Sequence, residues 1–219
     1  MMTTQQKRGR FVTFEGGEGA GKSTQIRLLA RTLAAEGLLI DETREPGGSE
    51  RAELIRAFIL SGQAKAMGAA TETFLFNAAR YDHITARIAP SLAAGAWVLC
   101  DRFSDSTRVY QTIIGGAEPA LVRGLEELVV GAMRPDLTVI LDLPAEIGLA
   151  RAGVRRGGDV GPDRFEAESL KTHQRIREGF LAIAKEEPTR CAVVAGDRAP
   201  DIVAADILRL VRERLGDAI

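Results

Sequence analysis

The chain has 219 residues, long enough for one large α/β domain with a substantial core. Apolar residues make up 45% and charged residues 27%, and 29 basic against 30 acidic side chains leave a net charge of −1. There is thus no global basic field for nucleic acid, no apolar run long enough to span a membrane, and no apolar signal region within Met1 to Arg10. The reading is a single domain over 1–219, cytoplasmic, with neither nucleic acid nor membrane as partner. Cys100 and Cys191 each fall inside an apolar stretch without a His or Cys at ligand spacing, so they read as small apolar fillers in a reducing compartment.

Apolar stretches predict strands at Arg10–Phe14, Leu38–Thr43, Trp97–Cys100, Leu137–Leu143 and Cys191–Val194. Helical patterns separate them, at Lys22–Glu36, Glu50–Leu60, Thr71–Leu92, Asp105–Gln111, Glu118–Met133, Ala145–Val154, Ala167–Lys185 and Pro200–Leu215. Near-continuously apolar strands alternating with helices predict a parallel sheet covered on both faces. Ligands bind at the carboxyl ends of such strands, and Glu15, Arg44 to Gly48, Asp101-Arg102 and Asp142 stand there. Asp142 is read as structural. Ser61 to Ala70 reads as a surface connection. Arg155 to Arg164 is basic and glycine-rich without apolar anchors. It reads either as a mobile lid beside a phosphate site or as a passive solvated linker.

Between the first strand and the first helix, Gly16 and Gly21-Lys22-Ser23 fill the pattern G-x-x-x-x-G-K-[ST]. Glycines let successive backbone N–H groups turn toward a phosphate chain, and the following helix points its positive end at the same anions. Lys22 is spaced to reach the β- and γ-phosphates and the Ser23 hydroxyl to meet Mg²⁺. The loop predicts a nucleoside triphosphate site over Gly16, Gly17, Glu18, Gly19, Ala20, Gly21, Lys22, Ser23 and Thr24.

Phosphate loops serve GTPases, motor and transporter ATPases, and small-molecule kinases. The Asn-Lys-x-Asp tetrad that reads guanine is absent. Leu60-Ser61-Gly62-Gln63 matches the transporter signature incompletely and lies too early, and the loop glycines do not fit G-x-G-x-x-G. A kinase acting on a small phosphorylated acceptor remains.

Seven further pieces narrow the field: Phe14-Glu15-Gly16 with the loop, Thr43 to Gly48, Phe74 to Arg80, Cys100 to Phe103, Asp105-Ser106-Thr107 with Tyr110-Gln111, Arg134 to Thr138, and Asp163 to Glu166. In this order and spacing they resemble the bacterial thymidylate kinase family over nearly the whole chain. The resemblance implies a P-loop NTPase fold with α/β/α layers, a five-stranded parallel sheet and a mobile lid at about 151–166. It also implies transfer of the γ-phosphoryl group of ATP to dTMP, with Mg²⁺ as cofactor, in a homodimer.

The same resemblance assigns roles. Arg102 and Arg56 go to the acceptor phosphate, which guanidinium forks suit. Phe76 stacks on thymine and Arg80, four positions on, bonds its O4; without the resemblance Phe76 reads as core. Thr107 and Gln111 read the other base edge, Tyr110 crowds the sugar 2′ position, and Glu45 belongs to the acceptor site. Glu15 goes near the acceptor 3′-hydroxyl and Asp101 near the metal, although either residue can instead hold Lys22 or Arg102. The catalytic set is Lys22, Arg102, Glu18 and a lid cation. Arg155 and Arg156 both stand for that cation, because Gly157 to Pro162 lengthens the lid; Arg151 and Arg164 flank them.

Overall fold

The structure is a computed structural model that describes residues 8–156, 165 and 168–216, without the side chains of Arg155 and Arg156. Strands β1 (Phe11–Glu15), β2 (Ile40–Arg44), β3 (Trp97–Asp101), β4 (Leu137–Asp142) and β5 (Cys191–Ala195) form one sheet in the order β2-β3-β1-β4-β5. All four pairings are parallel. The five-stranded parallel sheet and its α/β class thus agree with the sequence.

Helices among the described residues are α1 (Lys22–Ala35), α2 (Glu50–Leu60), α3 (Gln63–Ala66), α4 (Ala69–His83), α5 (Ala89–Ala93), α6 (Ser104–Ile113), α7 (Pro119–Val130), α8 (Ala145–Arg156), α9 (Leu170–Glu186) and α10 (Pro200–Leu215). Alternation along β1 splits the core. Val12 and Phe14 pack with α1 and α10, whereas Phe11 turns toward Ile84, Ile88 and Leu92. Every β1 residue is buried, as the central strand of a sheet covered on both faces requires.

Three departures from the sequence reading have physical causes. The helix expected over Thr71–Leu92 is interrupted by a π-helical turn at Ile84–Ile88, which ends two positions before Pro90, a residue with no N–H to continue the ladder. Ser61 to Ala70 is not merely a connection, because α3 forms within it and seats Ala64 in a small core with Ile59 and Phe76. Strand β2 is polar because it lies at the sheet edge, where Arg87 and Ser91 hold Asp41.

Candidate active site

A cavity of about 410 Å³ opens at the carboxyl ends of β1, β2 and β3. One end is the phosphate loop, from Glu18 to Thr24; the other is walled by Phe76, Arg80, Thr107, Tyr110 and Gln111. Arg102 lies between them. The lining carries six cations, Lys22, Arg27, Arg44, Arg56, Arg80 and Arg102, against the carboxylates of Glu18, Glu45 and Asp101. That imbalance suits an anionic ligand.

The loop leaves buried β1 and enters α1. Its backbone passes so close to β4 that a Cβ on Gly16, at φ +134, would lie 2.5 Å from the Leu141 carbonyl oxygen. Lys22 Nζ donates to the carbonyls of Gly16 at 3.2 Å and Gly17 at 2.9 Å. Burial first, and then the positive Arg102, depress the Lys22 ammonium. An anion here relieves both penalties.

Arg102 directly follows β3 and takes φ 67, a left-handed conformation rare for a residue with a side chain. This bend carries its guanidinium back over the loop. Nη1 donates to Gly16 O and Ser106 Oγ, both at 3.2 Å, and Nη2 to Glu18 Oε1 at 2.5 Å. The guanidinium carbon lies 4.9 Å from the Tyr110 ring centroid, and the Tyr110 hydroxyl donates to Glu18 at 3.1 Å. Burial pushes the Glu18 carboxyl up, but Arg102 and then Lys22 outweigh it and hold the group at about 2.

Glu15 lies below the cavity rather than on its wall. Its carboxylate accepts from the N–H groups of Phe103 at 2.8 Å and Ser106 at 3.1 Å, and from the Ser106 hydroxyl at 2.7 Å. It therefore anchors the start of α6, where the helix dipole favours a carboxylate. Burial, reinforced by Asp105, raises it to about 7. Glu15 bonds neither Lys22 nor Arg102 directly; its link to Arg102 runs through Ser106. Ser106, which lies within the Asp105-Ser106-Thr107 piece but was given no role from sequence, joins Glu15 to Arg102.

At the far end, Phe76 is buried among Ile59 and Ala64, in keeping with its core reading, and it also lines the cavity. Phe165 closes the same corner, 5.6 Å from Tyr110 and 6.5 Å from Phe76 between ring centroids. Its place next to Asp163 and Arg164 in sequence was the available clue. Arg80 lies on the wall with its Nε on Glu45 at 2.8 Å and its Nη2 on Thr107 Oγ1, also at 2.8 Å. Gln111 is buried, and its Nε2 has no hydrogen-bond partner among the described residues. A buried unpaired amide on a cavity wall is costly, which favours a polar ligand opposite it.

Ser23 donates to Asp101 Oδ2 at 2.5 Å beside Lys22. This hydroxyl and carboxylate are hard oxygen donors that suit a small divalent cation. Among the described residues no group of three or more His, Cys, Asp or Glu could hold a metal unaided, so phosphate oxygens and water must complete any shell.

Arg56 donates to Pro46 O at 2.5 Å. Arg151, expected on the lid, reaches from α8 to the carbonyl of Gly196 at 3.0 Å. Asp142 is held by both ends of the Arg177 fork, in keeping with a structural role. The glycine-rich lid and Arg164 lie outside the described residues, as do the side chains of Arg155 and Arg156.

The thymidylate kinase family profile matches residues 14–207. The chain belongs to the thymidylate kinase family. A thymidylate kinase of Bradyrhizobium sp. strain BTAi1 is 52% identical over 97% of this chain and 93% of its own length. One from Rhodopseudomonas palustris strain TIE-1 is 56% identical over 95% of this chain and 90% of its own. The crystal structure of thymidylate kinase from Ehrlichia chaffeensis superposes with a TM-score of 0.74 at 30% identity, covering 93% of this chain and 99% of that one. The fold is therefore that of the P-loop kinases. Thymidylate kinases are ATP-using enzymes, so a metal ion belongs to their chemistry, and no described helix is long and apolar enough to cross a membrane.

Proposed function

We propose that this chain transfers the γ-phosphoryl group of ATP to dTMP, giving dTDP and ADP. The observation that carries the reading is one continuous cavity. It joins a phosphate loop to a pocket with a flat aromatic wall and an unpaired amide, and Arg102 sits between the two. Two anionic nucleotides meeting end to end need that order of groups.

The acceptor is a phosphate oxygen already ionised near neutral pH, so no strong base is required. Positioning and charge neutralisation suffice. Lys22 and the loop N–H groups bind the donor phosphates. Arg102, aimed by Glu18 and Ser106, holds the acceptor phosphate beside them, with Arg56 at its far side. Phe76 stacks on the base, while Arg80, Thr107 and Gln111 present polar groups to its edges and Tyr110 limits the sugar. Stacking of this kind contributes about 1–3 kcal/mol per base. Ser23 and Asp101 are the residues that would hold Mg²⁺, which neutralises charge on the donor phosphates when bound. One lid arginine, Arg155 or Arg156, supplies the remaining cation.

We further infer a single domain working in the cytoplasm as a homodimer. Two buried free cysteines fit a reducing compartment. Leu54, Phe74 and Tyr81 stand exposed on the packed pair α2 and α4, with Phe74 and Tyr81 on one helix face, and they support a face for a second copy. Analytical ultracentrifugation of the protein and of Phe74→Glu tests the assembly. Coupled ADP release with ATP, Mg²⁺ and a panel of dTMP, dUMP, dCMP and thymidine tests the reaction. Release driven by thymidine as strongly as by dTMP would refute the acceptor reading.

A further inference from the structure

The chain has only two histidines, and both are buried. His83 ends α4, three residues beyond Arg80 and on the same helix face. It is fully buried, and both ring nitrogens are engaged. Nε2 lies 2.7 Å from Thr43 Oγ1 and Nδ1 lies 3.1 Å from Glu45 Oε1. The other oxygen of Glu45 accepts from Arg80 Nε at 2.8 Å.

This chain of contacts has one consistent direction. Glu45 is the partner of a guanidinium, so it is an acceptor, and His83 Nδ1 must donate to it. In the tautomer with its proton on Nδ1, Nε2 accepts from the Thr43 hydroxyl. The carboxylate is gripped from both sides, and the Arg80 fork is aimed by Glu45 together with Asn77 Oδ1 at 3.3 Å, Phe103 O at 3.2 Å and Thr107 Oγ1 at 2.8 Å. Of the hydrogens on Nη1, these contacts use only the one given to Asn77, and Arg80 borders the cavity. The backbone also makes room for the ring. A Cβ on Gly48, at φ +88, would stand 2.4 Å from His83 Nε2 and 2.6 Å from Thr43 Oγ1.

We propose that His83 is a positioning residue for base selectivity: by donating through Nδ1 to Glu45 it fixes the Arg80 guanidinium so that its remaining Nη1 hydrogen faces the exocyclic oxygen of the pyrimidine. The proposal rests on the reading above that Arg80 meets that oxygen. Selection follows from chemistry. A donor held rigidly toward a carbonyl oxygen rejects an amino group in its place, whereas a donor free to swing rejects it weakly.

The test is the ratio of kcat/KM for dTMP to that for 5-methyl-dCMP, which has an amino group in place of that oxygen, an acceptor in place of the N3 hydrogen, and the same methyl group. Two variants of similar bulk separate the ring's contacts. An asparagine amide occupies the Nδ1 position and keeps the bond to Glu45; a glutamine amide occupies the Nε2 position and keeps only the bond to Thr43. His83→Asn is expected to retain the wild-type ratio and His83→Gln to lower it by about tenfold, the worth of a charged hydrogen bond, with KM for ATP unchanged in both. Equal ratios in the two variants, whether kept or lost, overturn the proposal. Nitrogen-15 NMR of the wild-type protein near neutral pH, assigned with His173→Gln, gives a reading that no folding failure can obscure. The proton is expected on Nδ1, and a proton on Nε2 alone overturns the relay. If instead the wild type and Arg80→Gln show the same ratio, the base-reading role of Arg80 fails while the NMR result still judges the contacts of His83.

Discussion

Replacing Glu18 by Gln removes one negative charge from the phosphate loop while keeping its shape. In the structure that carboxylate receives Arg102 at 2.5 Å and the Tyr110 hydroxyl at 3.1 Å, and both charged side chains are only 16–17% exposed. A carboxyl held at about 2 rather than its ordinary 4.5 reflects about 3 kcal/mol of favourable surroundings. Gln keeps a carbonyl for Arg102, so a loss of about 2 kcal/mol at neutral pH is the expected size. The sign with pH follows from linkage. A carboxyl depressed by folding stabilises above its unfolded value near 4.5, and that stability is lost as pH falls toward about 2. Gln has nothing to titrate. Urea melts of both proteins should therefore show a gap that narrows by more than half between about pH 7 and about pH 3. In the same samples kcat should fall at least tenfold, because Arg102 is then aimed by neutral acceptors alone, at Gly16, Ser106 and the new amide, whereas KM for ATP changes little. A stability gap that is the same at both pH values, or a variant with full turnover, would refute the view that Glu18 steers Arg102 through charge.

Three further outcomes are expected. Phe76→Ala should raise KM for dTMP and leave that for ATP nearly unchanged; because the ring also packs on Ile59 and Ala64, it should cost about 3–5 kcal/mol of stability as well. An equal rise for both nucleotides would return Phe76 to the core alone. Glu15, held up at about 7 by burial and then by Asp105, stabilises below its unfolded value and loses that contribution as pH rises through about 7, so the stability of Glu15→Gln relative to wild type should climb between about pH 5 and about pH 8 in urea melts. Of Arg155→Ala and Arg156→Ala, one should lower kcat far more than it raises KM for dTMP, and steady-state kinetics in which both keep near-full turnover would remove the lid cation from the mechanism.

What the sequence disclosed and what it hid divide along a physical line. The phosphate loop was readable because its chemistry is local: glycine spacing, the lysine and the serine act within one turn of chain between a buried strand and a helix. The central strands were readable because a sheet covered on both faces demands apolar runs. β2 is an edge strand of sequence Ile40 to Arg44, and the apolar Leu38 to Ile40 at its start were what marked a strand over Leu38–Thr43. The contacts that aim the site are not local. Glu18 and Arg102 are 84 positions apart, and they meet only because Arg102 adopts a left-handed backbone that no helix or strand pattern encodes. His83 and Glu45 are 38 positions apart, and a single histidine at the end of an apolar helix looks like any core residue. Its trace in the sequence is indirect, in the glycine at 48 that leaves space for the ring. Residues that line the cavity are thus marked by type and spacing, whereas His83, which is argued to orient one of them, is marked by the small neighbour it requires. On that basis a search for orienting groups in related kinases should begin from glycines whose missing Cβ would strike a polar side chain, rather than from the polar residues themselves.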